Sequence, residues 1–287
     1  MRVLITGARG QVGQSLRERI PEDWEVIFTD SKTLDITNST TVDAMIQGFQ
    51  PEIIINTAAY TNVDQAEHEP QRAFSVNANG VANLALAANK VGSRLIHLST
   101  DHVFNGLNES PLHELHPTDP INNYGRSKLA GELLGLSILK SCIIVRTSWV
   151  YGEFGNNFVK SILNLGLNKK ELNIINDQIC RPTYSGDLAD AIIQIALISD
   201  IAAGIYHFCS ESAISRVNFV QRIINIAQMK DTRYKNVSIN IVNEFPNAAS
   251  RPYYSVLCTN KITSLLKQQS GTCLTTLEQV ILDKLIF

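Results

Sequence analysis

The chain carries almost no net charge: 25 Lys and Arg stand against 27 Asp and Glu in 287 residues, a formal net charge of −2 at pH 7. Without a basic excess no global field draws a polyanion, so nucleic acid is not an expected partner. Any ligand phosphate has to be held by local features. Cysteine is sparse and odd in number (Cys142, Cys180, Cys209, Cys258 and Cys273), and no two form a Cys-x-x-Cys pair. Free thiols in a reducing cytoplasm are the economical reading. Nowhere do 18 apolar residues run together, so no membrane span is expected. The apolar run in Met1–Thr6 is too short for a signal peptide and meets a glycine loop at once. Internal repeats and low-complexity tracts are also missing. Metal chemistry finds little support: His113 and His116 share a Pro-containing loop without a convincing third and fourth ligand, and solvent exposure is the expectation for both.

What is present is a core. Hydrophobic residues make up 44% and charged residues 18% of the chain, which suits a packed globular protein. Short apolar runs at Val3–Thr6, Glu25–Phe28, Ile53–Asn56, Arg94–Leu98 and Cys142–Arg146 read as strands buried on both faces. Between them Gln11–Arg19, Thr40–Gly48 (capped by Asn38 or Ser39), Gln71–Lys90 and Asn123–Leu139 read as helices. Strand alternating with helix implies right-handed crossovers. The expected fold is therefore α/β, a Rossmann-type doubly wound parallel sheet with a smaller carboxyl-terminal substrate lobe. After about Val150 the rhythm loosens, with helices expected at Ser185–Ile198 and Arg216–Met229 and a strand at Gly204–Phe208. Residues 1–150 are read as the dinucleotide-binding domain and 151–287 as the substrate lobe, interleaved with late sheet elements.

The loop Gly7-Ala8-Arg9-Gly10-Gln11-Val12-Gly13 joins the first strand to the first helix. Gly7 permits a tight turn, Gly10 lets the backbone approach a pyrophosphate, and Gly13 lets helix pack on strand, with the helix N-terminus facing the anion. Its place after an apolar strand makes a dinucleotide more plausible than a bare turn. Asp30, after the second strand, is placed to bind a ribose hydroxyl, which favours NAD, whereas Arg9 and Lys32 favour a 2′-phosphate. The cofactor is thus NADPH or NADH, the choice left open. Asp35 and Ile36 could lie near the adenine, and Ala58, Ala59 and Tyr60 follow the third strand where small residues let a cofactor lie against backbone, although close packing explains the alanines nearly as well.

Tyr124 and Lys128 are four apart, hence on one helix face. Thr100 follows the fourth strand, so a hydroxyl, a phenol and an ammonium converge at the carboxyl end of the sheet, where open α/β folds bind ligands. Reducing a ketone needs a proton for the developing alkoxide, and a phenol of pKa about 10 is a reluctant partner at neutral pH. A cation about 4–5 Å away at an effective dielectric of about 20 contributes on the order of 3–4 kcal/mol. That is roughly two to three pK units, so Lys128 is expected to lower the phenol. The alternative is a Tyr–Lys pair on an exposed helix face. His97, in the fourth strand, reads as a packed histidine and not as a catalyst.

At these residues the chain resembles the extended short-chain dehydrogenases/reductases, and within them the dTDP-4-dehydrorhamnose reductase family. Gly7–Gly13, Asn56–Asp64, Leu98–Gly106, Tyr124–Lys128, Arg146–Gly152, Arg181–Tyr184 with Asp187–Ala189, and Arg251-Pro252 carry the likeness almost end to end. The resemblance implies reduction of the C4 ketone of a dTDP-4-keto-6-deoxy-L-hexose to dTDP-L-rhamnose or a C4 epimer. By motif position it gives catalysis to Thr100, Tyr124 and Lys128, with the latter two also on the cofactor. It sets Thr61, Val63, Asp101, His102 and Trp149 at the sugar, and offers Arg251 for the diphosphate, with an Arg–carboxylate pair as the alternative. His102 stands where the family usually has Tyr, Asn105 where it has Asp, and no glycine lies near Cys180 in Asp177–Cys180. A dehydratase of the same group would need Thr-Asp-Glu where this chain has Thr100-Asp101-His102. A non-catalytic regulatory subunit, like that of methionine adenosyltransferase, is the rival from another class. A homodimer stays open.

Overall fold

The computed structural model describes residues 1–175, 178–242, 248–266 and 273–286; Asp177 lies outside them. Strands follow in chain order as β1 (Arg2–Thr6), β2 (Glu25–Phe28), β3 (Ile53–Asn56), β4 (Arg94–Thr100), β5 (Cys142–Thr147), β6 (Val150–Tyr151), β7 (Glu171–Ile175), β8 (Ile179–Cys180), β9 (Thr183–Tyr184), β10 (Gly204–His207), β11 (Ile214–Ser215) and β12 (Ser238–Val242). The α-helices are α1 (Gln11–Arg19), α2 (Ser39–Phe49), α3 (Val63–His68), α4 (Pro70–Phe74), α5 (Gly80–Val91), α6 (Asn123–Ile138), α7 (Phe158–Asn168), α8 (Ser185–Leu197), α9 (Arg216–Lys230), α10 (Asn260–Thr263) and α11 (Cys273–Gln279).

A six-stranded parallel sheet has the order β10-β5-β4-β3-β1-β2. The chain steps one way from β1 to β2 and the other way from β3 onward, so the order reverses at β1. The carboxyl ends of the strands part there and leave a crevice. β3 and β5 are buried along their whole length, as their unbroken apolar runs imply. β2 is not: it forms the sheet edge, and Glu25 is exposed, which corrects the expectation of a strand covered on both faces. β4 runs two residues past Leu98, because Ser99 and Thr100 pair with Arg146 and Thr147 of β5.

One face of the sheet packs against α1 and α8 through Val3, Ile5, Leu16 and Ile192; the other packs against α2 and α5 through Leu4, Val42, Leu84 and Ala88. A separate apolar cluster, including Ile162, Phe219, Ile223 and Leu277, gathers elements that follow residue 150. Residues after 150 nevertheless return to the sheet, as β10 beside β5 and as α8 beside α1. Among the described residues no helix is long and apolar enough to cross a membrane, and Cys142 and Cys258 are free thiols.

Two local features shape the ground around the crevice. The helical stretch expected over Gln71–Lys90 is interrupted by a π-turn at Ser75–Asn79, between α4 and α5. The widened turn lets Asn77 accept from the Tyr60 backbone N–H (2.8 Å) and donate to the Tyr60 carbonyl (3.0 Å) and Ser127 Oγ (2.9 Å). Between α6 and β5, Arg146 and Glu132 form an ion pair with 2% and 1% of their side chains exposed. The guanidinium donates from Nε and Nη2, and Ser99 Oγ donates to the same carboxylate.

Candidate active site

The crevice beside β1 opens into a cavity of about 640 Å³, a size ordinary for a small-molecule or cofactor site. The glycine loop forms one end. Gly7 has φ +73°, and a Cβ on it would sit 2.5 Å from the Ala58 nitrogen; a Cβ on Gly13 would sit 2.5 Å from the Gly7 oxygen. These two glycines therefore serve the turn and the packing of α1. Gly10 differs: an added Cβ would meet no protein atom within 4 Å except the Gly7 oxygen, at 3.2 Å. It is the N-cap of α1, whose first turn receives no hydrogen bond from a capping side chain. Free backbone N–H groups and the positive end of the helix dipole thus meet a surface left open by a missing side chain, which fits a bound pyrophosphate.

Of the residues assigned to the dinucleotide, Gly7, Arg9, Gly10, Gln11 and Val12 line the cavity at this loop. Asp30, Asp35 and Ile36 line its far end, and Ala58, Ala59, Tyr124 and Lys128 its inner wall. Gly13 lies behind the loop. Tyr60 is not in the wall: its hydroxyl donates to Glu69 at 3.1 Å, turning the ring away. Asp30 is heavily engaged. One carboxylate oxygen accepts from the Lys32 and Thr33 backbone N–H groups, which hold its pKa below the usual carboxylate value, and the other meets Arg9 Nε at 2.6 Å. Asp35 accepts from the Thr37 N–H and hydroxyl. Ser31, Lys32, Gly155 and Asn156 also line the cavity, the last two from a loop after β6 that carries no dinucleotide motif.

At the other end α6 presents Tyr124 and Lys128. Asn122 caps this helix by accepting from the Gly125 N–H at 2.7 Å. Both side chains reach the cavity wall, which removes the exposed-helix alternative. Burial pushes the Tyr124 phenol up to about 12, the hydrogen bond with Thr100 pulls it down, and the Asp101 carboxylate adds to the rise. The lowering expected from Lys128 is therefore not what the protein shows. The reason is where the ammonium nitrogen goes: Nζ donates to the Leu98 carbonyl at 2.6 Å and stands 3.3 Å from His97 Nε2. Burial depresses Lys128 itself to about 8, against an upward pull from Glu132.

The residues assigned to the sugar are spread around this end. Thr61 lines the cavity. Thr100 and Asp101 are buried, with Thr100 Oγ1 donating to Asp101 Oδ1 (3.1 Å) and Ser255 Oγ donating to Asp101 Oδ2 (2.5 Å). His102 sets its ring edge-on to Tyr124, centroids 5.4 Å apart, and its Nδ1 lies 3.1 Å from Asn122 Nδ2. Val63 opens α3, outside the cavity wall. Trp149 has a left-handed backbone, φ +39°, and its ring stacks on Phe219 at 5.7 Å. Arg251 Nη2 donates to both carboxylate oxygens of Asp64 at 2.9 Å, so the carboxylate alternative describes its present contact. His116 has Asn108 as its polar neighbour, and His113 is exposed. Among the described residues no three His, Cys, Asp or Glu side chains converge as a metal site requires.

An open glycine turn after β1 and a Tyr–Lys helix beside β4 face one crevice, and that combination defines a nicotinamide-dependent oxidoreductase with the short-chain dehydrogenase/reductase architecture. Comparison with known proteins narrows the class. The family described as the RmlD substrate binding domain matches residues 1–285. A dTDP-4-dehydrorhamnose reductase of Aggregatibacter actinomycetemcomitans is 43% identical, over 91% of this chain and 92% of that protein. Among solved structures, a dTDP-4-dehydrorhamnose reductase from Bacillus anthracis in complex with NADP is 40% identical, with a TM-score of 0.91 over 98% of this chain and 99% of that one. One from Clostridium acetobutylicum is 35% identical, with a TM-score of 0.90 over 98% of both chains. The chain belongs to the dTDP-4-dehydrorhamnose reductase family.

Proposed function

We propose that this protein reduces the C4 ketone of a dTDP-4-keto-6-deoxy-L-hexose, using NADPH or NADH, as a step in nucleotide-sugar synthesis for cell-surface polysaccharide. The observation that carries the reading is the single cavity onto which the open Gly10 turn and the Tyr124–Lys128 pair both face. Gly7, Gly10, Gln11 and Val12 would hold the pyrophosphate, Asp30 with Arg9 the adenine-side ribose, and Asp35 and Ile36 the adenine. Ala58 and Ala59 would lie along the dinucleotide; the Tyr60 side chain is assigned no contact. When bound, the reduced nicotinamide supplies a hydride to the sugar carbon.

The chain's own work is with the proton. A phenol held near 12 is fully protonated at neutral pH, the right state for a group that must donate to a ketone oxygen. Thr100 orients that hydroxyl through their shared hydrogen bond. Lys128, in its charged form, offsets the phenolate that remains after donation. Asp101 is fixed by Ser255 and in turn fixes Thr100. Thr61, Val63, His102 and Trp149 are assigned to the sugar. Arg251 would take the diphosphate by exchanging Asp64 for a more highly charged partner.

We divide the chain at Val150 by role. Residues 1–150 bind the dinucleotide; residues 151–287 form the substrate lobe, apart from α8 and β10, which complete the sheet layers. A cytoplasmic location suits the free, buried Cys142 thiol, and a homodimer is retained as the assembly to test by light scattering. The deciding experiment supplies dTDP-4-keto-6-deoxy-L-hexulose with NADPH or NADH, follows loss of reduced-cofactor absorbance, and reads the C4 configuration by NMR. Cofactor binding without any turnover would reject the reductase reading and favour a binding subunit.

A further inference from the structure

Behind Lys128 a line of buried groups runs from β1 to α6. The Asn56 amide is oriented by a group that can only donate: the Ala58 backbone N–H reaches Asn56 Oδ1 at 3.1 Å, and Thr6 Oγ1 donates to the same oxygen at 2.7 Å. Asn56 Nδ2 therefore points the other way, 2.9 Å from His97 Nδ1. An amide NH₂ has no lone pair to offer, so Nδ1 must accept. His97 is fully buried, and burial drives its pKa well below the ordinary value, so the ring is neutral. A neutral imidazole with a bare Nδ1 carries its proton on Nε2. That N–H faces Lys128 Nζ at 3.3 Å, while Nζ donates to the Leu98 carbonyl at 2.6 Å. An ammonium has no lone pair to receive the imidazole proton; a neutral amine has one.

We propose that Asn56 and His97 are positioning residues that order protons along this line, so that the retracted Lys128 is the neutral amine accepting His97 Nε2–H, and protonation of Lys128 breaks that contact and sends the ammonium toward Tyr124. The catalytic part of the proposal rests on reading Tyr124 and Lys128 as the working pair. The device makes charge and position of Lys128 one variable: the amine parks on β4, and the cation, repelled by a fixed N–H, is displaced into the cavity.

Other charged neighbours do not undo this. On α6 itself Glu132 is bound by Arg146 of β5 and by Ser99. After β4, Asp101 is bound by Ser255 and Thr100, and His102, kept below its ordinary pKa by burial, faces Asn122. From α3, Glu67 bonds Asn123; on α4, Arg72 pairs with Glu69; and the π-turn contributes the neutral Asn77.

The test begins with ¹⁵N-histidine NMR on the unmodified protein. The expected His97 spectrum has Nδ1 unprotonated and Nε2 protonated across neutral pH; an Nδ1–H tautomer would overturn the proposal. Asn56→Asp comes second. Its carboxylate accepts from Nδ1–H, flips the tautomer and turns Nε2 into an acceptor that holds the ammonium back on β4. The expected outcome is a kcat about tenfold lower with NADPH KM unchanged, and an alkaline limb of kcat moved up by about one pH unit, the size of one hydrogen bond gained. A bare charge effect would persist without the imidazole, so the cycle is closed with His97→Phe. Shifts that vanish in the His97→Phe background support the ordering; shifts of equal size in both backgrounds refute it. The tautomer is read without turnover, so failure of the reductase reading and failure of the proton order would show in different measurements.

Discussion

Glu132→Ala tests how α6, the helix that carries Tyr124 and Lys128, is fastened to the sheet. In the native protein Arg146 donates to Glu132 through Nε (2.9 and 3.1 Å) and Nη2 (2.6 Å), and Ser99 Oγ donates to the same carboxylate at 2.5 Å. Truncation leaves a guanidinium with 2% exposure, flanked by the Phe104 ring and a neutral His207, without its ion-pair partner. Breaking a buried pair from one side costs about 3–5 kcal/mol, mostly the desolvation of the stranded charge. With a urea m-value of about 3 kcal/mol/M, the unfolding midpoint falls by about 1–1.7 M. Glu132→Met combined with Arg146→Met removes both charges and should recover most of that loss, because two apolar chains of similar reach carry no desolvation cost. Urea unfolding followed by tryptophan fluorescence measures both variants. A loss below about 1 kcal/mol for Glu132→Ala, or a double variant as unstable as the single one, would refute the reasoning.

Tyr124→Phe is expected to leave NADPH affinity within about twofold and to lower kcat by about 10²–10⁴, the usual worth of a placed proton donor; fluorescence titration and steady-state kinetics measure the two terms. Gly10→Val puts a branched side chain where only the Gly7 oxygen is near; dinucleotide binding should weaken by at least about a hundredfold while thermal stability is nearly kept, and normal affinity would count against the loop assignment. Arg9→Ala removes a largely exposed cation from beside Asp30. NADPH KM should rise about tenfold and NADH KM change little, since a charge-assisted hydrogen bond to a 2′-phosphate is worth about 1.5–3 kcal/mol. His102→Tyr should alter the ratio of kcat/KM between C4-keto sugars without changing cofactor affinity, because the ring at 102 stands edge-on to Tyr124; unchanged ratios across several sugars would place that side chain outside the pocket.

The parts of the fold legible in the sequence are those in which one physical signal acts locally. The five early strands are apolar runs bounded by polar turns, and the glycine loop is a local geometry. Asn38 announces α2 by accepting from the Thr40 and Thr41 N–H groups. Illegible parts depend on partners far along the chain. Two-residue strands such as β6 and β9 have no period; they exist because Val150 and Thr183 are brought together by the fold. The π-turn leaves helical composition untouched, so Gln71–Lys90 reads as continuous even though Asn77 needs that turn to reach Tyr60. The outward turn of the Tyr60 ring is hidden for the same reason, since Glu69 captures its hydroxyl only once α3 and α4 have formed.

The site shows the same division between residue identity and residue state. That Tyr124 and Lys128 share a helix face follows from their spacing alone. Which of them perturbs the other does not, because it depends on where Nζ points, and β4 offers a carbonyl and an imidazole that no spacing rule places there. A lysine lowered by burial and a phenol raised by it are pushed past each other, from 10.5 to about 8 and from 10.0 to about 12. The order of the two is thereby reversed, and the amine now loses its proton more readily than the phenol. In that state the phenol is a donor and not a base, which suits the reductive direction. Oxidation of an alcohol would need an added positive charge beside Tyr124 before the phenolate could form. The protonation state of each group is thus set by burial, which sequence spacing does not encode.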